Sequence, residues 1–141
     1  MIKIRLLVFD DPEIYDFSKC EKLLSDIFGQ EVVIDVTFES PENRLDEDLV
    51  YYISDWTRDQ ALEASLATVT GVIVGNYMGS GLEKVRLLDS TLFDLTLITS
   101  NKMPALEREQ YEDLGFRNFA DRGNQAQTME FLENITHPAA I

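Results

Sequence analysis

Short apolar runs alternate with segments of helical period along most of this chain. Strand–helix alternation of this kind implies right-handed crossovers and a central parallel sheet. The first run, 2–9, starts with Lys3 and Arg5 between Ile2, Ile4 and Leu6, then turns apolar at every position through "LLVF". Continuous apolarity marks a strand covered on both faces, the condition of a parallel sheet. "VVIDVTF", "GVIV", "DLTLITS" and "FRNFA" supply the other strands. Five strands suit the doubly wound order 2-1-3-4-5, an α/β three-layer sandwich whose ligands sit beyond the carboxyl ends of the strands.

The intervening segments read as helices. Over 16–28, Asp16 is a candidate cap, Phe17, Cys20, Leu24 and Ile27 form a stripe, and Gly29 is the stop. Cys20 lies on that stripe and reads as a core residue rather than a reactive thiol. Thr57 and Gln60 form a possible capping box for a helix carrying Leu62, Leu66 and Val69, and Ser80 with Glu83 forms another, ahead of inward-facing Leu82, Val85 and Leu88. A helix over 105–114 carries Leu106, Tyr111 and Leu114 and ends at Gly115. Asn124 with Gln127 opens the last helix, with stripe Met129, Leu132 and Ile135, and "HPAAI" reads as a tail. The expected organisation is one domain over 1–136, with a tail over 137–141.

One stretch breaks the rhythm. Residues 39–57 read as an acidic insertion between the second and third strands, because "ESPENRLDEDL" sets five carboxylates against Arg44. Leu45, Leu49 and Tyr52 keep helical spacing there. "YYISDW" fits a helix end or a short strand, and Trp56 beside Tyr51 and Tyr52 suits a core or a partner surface.

Charge narrows the partners. The 141 residues carry 26 acidic and 12 basic side chains, a net charge of −14. A nucleic-acid binder needs a basic footprint and an anionic membrane disfavours such a chain, so neither is expected. A single cysteine excludes an intrachain disulfide and fits a reducing compartment. With no signal-peptide pattern at "MIKIRLLVFDD", the expected location is the cytoplasm.

The strand ends hold the candidate chemistry. Asp10 and Asp11 follow the first strand directly, and two adjacent carboxylates either bind a hard divalent cation, with Glu13 in reach, or make an ordinary acidic turn into Pro12. Asn76 ends the third strand, and its neutral amide can donate and accept hydrogen bonds but cannot act as a carboxylate nucleophile. Thr99 and Ser100 end the fourth strand. Arg122 follows the fifth, where it can pair with Asp10, Asp11 or a bound anion.

Taken in order, "RLLVFDD", "ALEASLATVTGVIVGNYMGSGLEKVRLL" and "LTLITSNKMPALEREQYEDLGFRNFADRGNQAQTMEFLENI" resemble the receiver domain of bacterial response regulators, the CheY-like, flavodoxin-like signal-transduction module of two-component systems. The likeness covers roughly residues 3–38 and 58–136. It implies that Asp10 and Asp11 stand where the family binds Mg2+, that Asn76 stands at the phosphoacceptor position, and that Thr99, Phe119 and Arg122 stand at the switch and phosphate-sensing positions. Asn for Asp removes the family's chemistry, and Arg122 stands where the family has lysine, a change of shape and reach. The proline usual soon after the acceptor is absent, the loop from 76 to 81 is short, and the insertion over 39–57 is atypical.

The resemblance therefore implies an atypical or pseudo-receiver: a phosphorylation-independent signalling or protein-interaction domain and not an enzyme. Mg2+ binding is expected to be weak or absent. A protein partner is expected, a homodimer is open, and the absence of a following output segment favours a stand-alone module. Its output face would comprise "LTLITS", the 105–114 helix, "FRNFA" and the last helix.

The alternative is a phosphoryl-accepting regulator using Asp55, Asp10 or Asp11. In one realignment "YYISDW" is the acceptor strand and Lys102 takes the lysine site, which leaves "FRNFA" as a surplus strand. A small Mg-dependent hydrolase with Asp10 as nucleophile would need a second Asp where Pro12 stands. "GNYMGSGLEK" has Leu82 where a phosphate loop has lysine. His137 is the single histidine and is expected on the surface.

Overall fold

In the computed structural model, which describes residues 1–39, 67–76, 81–86, 88 and 90–140, five strands form one parallel sheet in the order β2-β1-β3-β4-β5. The strands are β1 (Ile2–Phe9), β2 (Val32–Glu39), β3 (Ala67–Gly75), β4 (Thr96–Ser100) and β5 (Asn118–Asp121). Four α-helices stand among the described residues: α1 (Phe17–Phe28), α2 (Gly81–Val85), α3 (Ala105–Leu114) and α4 (Gln125–Thr136). This is the expected doubly wound topology of flavodoxin-like and CheY-like folds.

β1 lies between β2 and β3, in register from Ile2 against Val32 and Ala67 to Phe9 against Glu39 and Val74. Its central place explains the unbroken apolarity of "LLVF", since both faces are buried. Ile2, Ile4, Leu6 and Val8 join Cys20 and Leu24 of α1 and Phe131, Leu132 and Ile135 of α4 in one core. Leu7 and Phe9 join Val72, Val74, Val85, Tyr111 and Phe116 in the other. The sheet thus has α1 and α4 on one side and α2 and α3 on the other. Cys20 is fully buried, and burial, reinforced by Asp16, pushes its thiol up to about 11, so little thiolate exists at neutral pH.

Local signals account for the helix ends. The Asp16 side chain accepts from the Lys19 N–H at 3.1 Å, and Gly29 closes α1 at φ 64°. The Asn124 side chain accepts from the Gln127 N–H at 3.0 Å, and Gln127 reaches back to accept from the Asp121 N–H at 2.6 Å. His137 is exposed at the start of a short 3-10 turn, edge-on to Phe28.

Several expectations need correction. Val69 lies within β3, not on a helix, because β-branched Thr68, Val69 and Thr70 extend the strand backwards from "GVIV". β2 runs through Glu39, the residue expected to open the insertion. Asp94 and Leu95 belong to a 3-10 turn, Ser90–Leu95, rather than to β4. Phe116 precedes β5 and is buried against Phe93, with ring centroids 4.3 Å apart. Leu106 is 76% exposed and Leu114 41%, so α3 is anchored through Tyr111 instead. Ile27 is likewise exposed at the end of the α1 stripe. The readings of Ser80, Tyr51, Tyr52, Asp55, Trp56, the Thr57–Gln60 box, Leu62, Leu66 and the remainder of the insertion lie outside the described residues.

Candidate functional site

Strand pleat divides the carboxyl end of the sheet into two half-sites. Successive side chains on a strand point to opposite faces. On β1, Leu6 and Val8 face the α1/α4 layer and Leu7 and Phe9 face the α2/α3 layer. Asp10 continues the first set. On β3, Ile73 faces α1/α4 while Val72 and Val74 face α2/α3. Gly75 therefore falls on the side of Asp10, and Asn76 on the other.

The first half-site is an ion-pair clamp. The Asp10 side chain is 0% exposed. The Arg122 Nη2 donates to Asp10 Oδ1 at 2.7 Å, and its Nε donates to Oδ1 at 3.0 Å and Oδ2 at 3.3 Å. The same Nη2 reaches Asp11 Oδ2 at 3.0 Å. Tyr15 donates its hydroxyl to Asp10 Oδ2 at 3.1 Å, and the Asp11 N–H donates to Oδ1 at 2.8 Å. The fork of a guanidinium suits this geometry in a way an ammonium does not. Hydrogen bonding to Asp10 holds the Arg122 proton affinity above its ordinary range, and burial, with Asp10 beside it, keeps the Tyr15 hydroxyl protonated well past its usual range. Arg122 is aimed by β4, because its N–H donates to the Ser100 carbonyl at 3.0 Å. Thr99 is fully buried on the same face, beside Tyr15.

Gly75 makes the clamp possible. A Cβ there would lie 2.9 Å from Asp10 Oδ2 and 2.9 Å from the Phe9 carbonyl oxygen. The β3 position that faces the aspartate therefore has no side chain, and Asp10 lies across its backbone. Gly75→Ala is expected to cost about 1–3 kcal/mol, because the Phe9 backbone cannot move aside as a flexible side chain would. A urea midpoint unchanged from wild type would contradict this close approach.

The second half-site is a neutral hydrogen-bond hub. Asn76 Oδ1 accepts from the Tyr111 hydroxyl at 2.8 Å and from the Gly81 N–H at 3.1 Å. Its Nδ2 donates to Glu107 Oε1 at 2.6 Å, and its backbone N–H donates to the Thr99 carbonyl at 2.7 Å. Gly81 has no room for a Cβ, since the Tyr111 hydroxyl already occupies that space. One amide thus ties the tip of β3 to α2 and α3. Burial, then the Glu107 charge, keeps the Tyr111 hydroxyl neutral and a donor. Phe119 meets Tyr111 edge-on at 6.2 Å, and the Arg108 guanidinium lies 4.5 Å above the Phe119 ring.

The structure brings together Asp10, Asp11, Thr99 and Arg122 in one half-site, and Asn76 with Phe119 in the other. Sequence reasoning missed Tyr15, Gly75, Glu107 and Gly81 as parts of the site and took Tyr111 for a core residue alone. The closeness of Gly75 to Asp10 has no signal in a single strand. Tyr111 carried one, since a buried tyrosine needs a partner for its hydroxyl.

Magnesium needs several oxygens converging on one point, usually with water among them. The residues present do not fit it. Both Asp10 oxygens are taken up by Arg122, Tyr15 and the Asp11 N–H, and Arg122 stands between the two carboxylates. Asn76 faces the other side of the sheet, where its oxygen accepts from Tyr111 and Gly81. Among the described residues no group of three His, Cys, Asp or Glu side chains is placed to hold a metal.

The fold and its two half-sites define a doubly wound α/β domain of CheY-like topology. No protein-family model matches the chain, and no curated protein does. Among solved structures, a response regulator in red light signaling of R. palustris is similar, with 22% identity and a TM-score of 0.47 over 94% of this chain and 91% of that one. A pilus assembly-related protein from Burkholderia pseudomallei is 15% identical, with a TM-score of 0.44 over 99% of this chain and 90% of that one. The strand order stands on the sheet itself. Among the described residues no helix is long and apolar enough to cross a membrane.

Proposed function

We propose that this chain is an atypical receiver-like signalling or protein-interaction domain that works without accepting a phosphoryl group, and is not an enzyme. One observation carries the reading. The side chain at the tip of β3 is a buried amide whose hydrogen-bonding atoms are committed to Tyr111, Gly81 and Glu107. A carboxylate nucleophile is missing there, and the half-site that does hold carboxylates is filled by Arg122.

The natural output surface is the face built from β4, α3, β5 and α4. Phe119 stands on it, covered by Arg108, with a groove of about 180 Å³ on the side of Ser100 and Met103 and a wider one of about 530 Å³ toward Arg117. Asn76, Tyr111 and Phe119 form a connected chain from the strand tip to that face. A protein partner, or a second copy of this chain, would shift the domain between packings by binding one better than the other. A cytoplasmic setting belongs to the same reading.

Incubation with acetyl phosphate and Mg2+, read by intact mass, tests the proposal. The expected mass is that of the unmodified chain. A stoichiometric phosphoryl adduct would overturn it, and loss of that adduct in Asp55→Asn would favour the reading in which Asp55 is the acceptor.

A further inference from the structure

The Asp10–Asp11 doublet is the part of the molecule where the resemblance and the geometry disagree. Two carboxylates that close repel each other unless a positive charge lies between them. Here that charge is covalently part of the chain. Arg122 donates to both carboxylates through one nitrogen, and its Nε adds two further contacts to Asp10. Tyr15 and the Asp11 N–H complete the shell of Asp10. Gly75 leaves open the space into which Asp10 settles.

We infer that Arg122 is this site's own cation: its guanidinium takes the place of a divalent ion between Asp10 and Asp11, so the wild-type chain takes no magnesium there and removing Arg122 uncovers a divalent-cation site. The identity of the displaced ion rests on the receiver-like reading; the occupancy of the doublet does not. With the arginine stem gone, Asp10, Asp11 and water would surround an open position, the half-protein, half-water shell that magnesium accepts.

Mn2+ is a suitable probe, read by paramagnetic broadening of amide resonances. The chain carries a net charge of −14, so scattered surface binding is expected everywhere and only local broadening counts. In wild type, equimolar Mn2+ should leave the amides of Asp11, Gly75 and Gly123 no broader than surface acidic positions. Wild type and Asp11→Asn should show the same Mn2+ broadening at Gly75 and Gly123. In Arg122→Ala those three amides should broaden first, with affinity at least about tenfold above wild type, and Mg2+ should raise the melting temperature. Arg122→Lys, whose ammonium lacks the fork that bridges both carboxylates, should broaden the same amides more than wild type and less than Arg122→Ala.

Selective broadening at Asp11 and Gly75 in wild type would overturn the inference. So would a folded Arg122→Ala chain with no gain in affinity. If Arg122→Ala does not fold, the comparison of wild type with Asp11→Asn decides: equal broadening at Gly75 and Gly123 supports the inference, and stronger broadening there in wild type refutes it. None of these readouts depends on phosphorylation, so a phosphoryl adduct and a metal-binding doublet would be told apart.

Discussion

Arg122→Met is expected to lose about 3–5 kcal/mol of folding free energy, the cost of leaving a buried carboxylate without its partner. Methionine retains most of the stem and removes the charge, so the loss is electrostatic more than steric. The two members of the pair are not equivalent. The Asp10 side chain is 0% exposed, whereas that of Arg122 is 22% exposed and also holds Asp11. Asp10→Asn should therefore be milder, because Arg122 can turn to Asp11 and water while Tyr15 keeps an amide oxygen to bond. The double variant Asp10→Asn/Arg122→Met should recover much of the loss, since no buried charge remains. Urea unfolding of the four proteins measures the cycle. A loss in Arg122→Met below about 1 kcal/mol would place the pair among ordinary surface ion pairs.

Asn76→Asp is the second large effect, and it inverts the intuition that an acid at this position repairs the domain. The change keeps both acceptor contacts, from Tyr111 and Gly81, and deletes the donor to Glu107. Two carboxylates would then face each other across a contact now 2.6 Å long. The expected cost at neutral pH is about 2–3 kcal/mol. Like charges at that separation share a proton, so the pair's apparent pKa rises. The deficit should shrink as pH falls and one carboxyl protonates, and grow again as pH rises. Asn76→Asp should also remain unmodified by acetyl phosphate, because its side chain faces α2 and α3 and not the aspartate doublet. A variant as stable as wild type at neutral pH, or one that accepts a phosphoryl group, would contradict the hub.

Much of the fold was legible because burial leaves a periodic trace. "LLVF" and "GVIV" are apolar throughout and sit at the centre of the sheet with both faces covered. Asp16, Gly29, Asn124 and Gly115 mark helix ends by local chemistry that needs no tertiary context. Leu106 and Leu114 misled because helical spacing says which residues share a face, not how much of that face is covered.

The site was only half legible. Asp10 and Arg122 announce themselves by charge, yet nothing in a single sequence says that they meet across 112 positions. The facing of Asn76 depends on pleat and register together. A one-residue shift in pairing would send its side chain to the other layer. β1 pairs with β3 so that Phe9 stands opposite Val74, and that register sets Gly75 against Asp10 and leaves Asn76 to Tyr111. Charge and strand order suggested one mouth containing every candidate; the pleat divides them between two.

The most direct measurement is the side-chain Nε–H resonance of Arg122 in a nitrogen-15 spectrum, assigned by its disappearance in Arg122→Lys and followed with and without excess Mg2+. Arg122 seated between the two aspartates predicts a signal protected from solvent exchange at neutral pH and unmoved by the ion. A resonance that exchanges like that of a free arginine, or that shifts as Mg2+ is added, would contradict it.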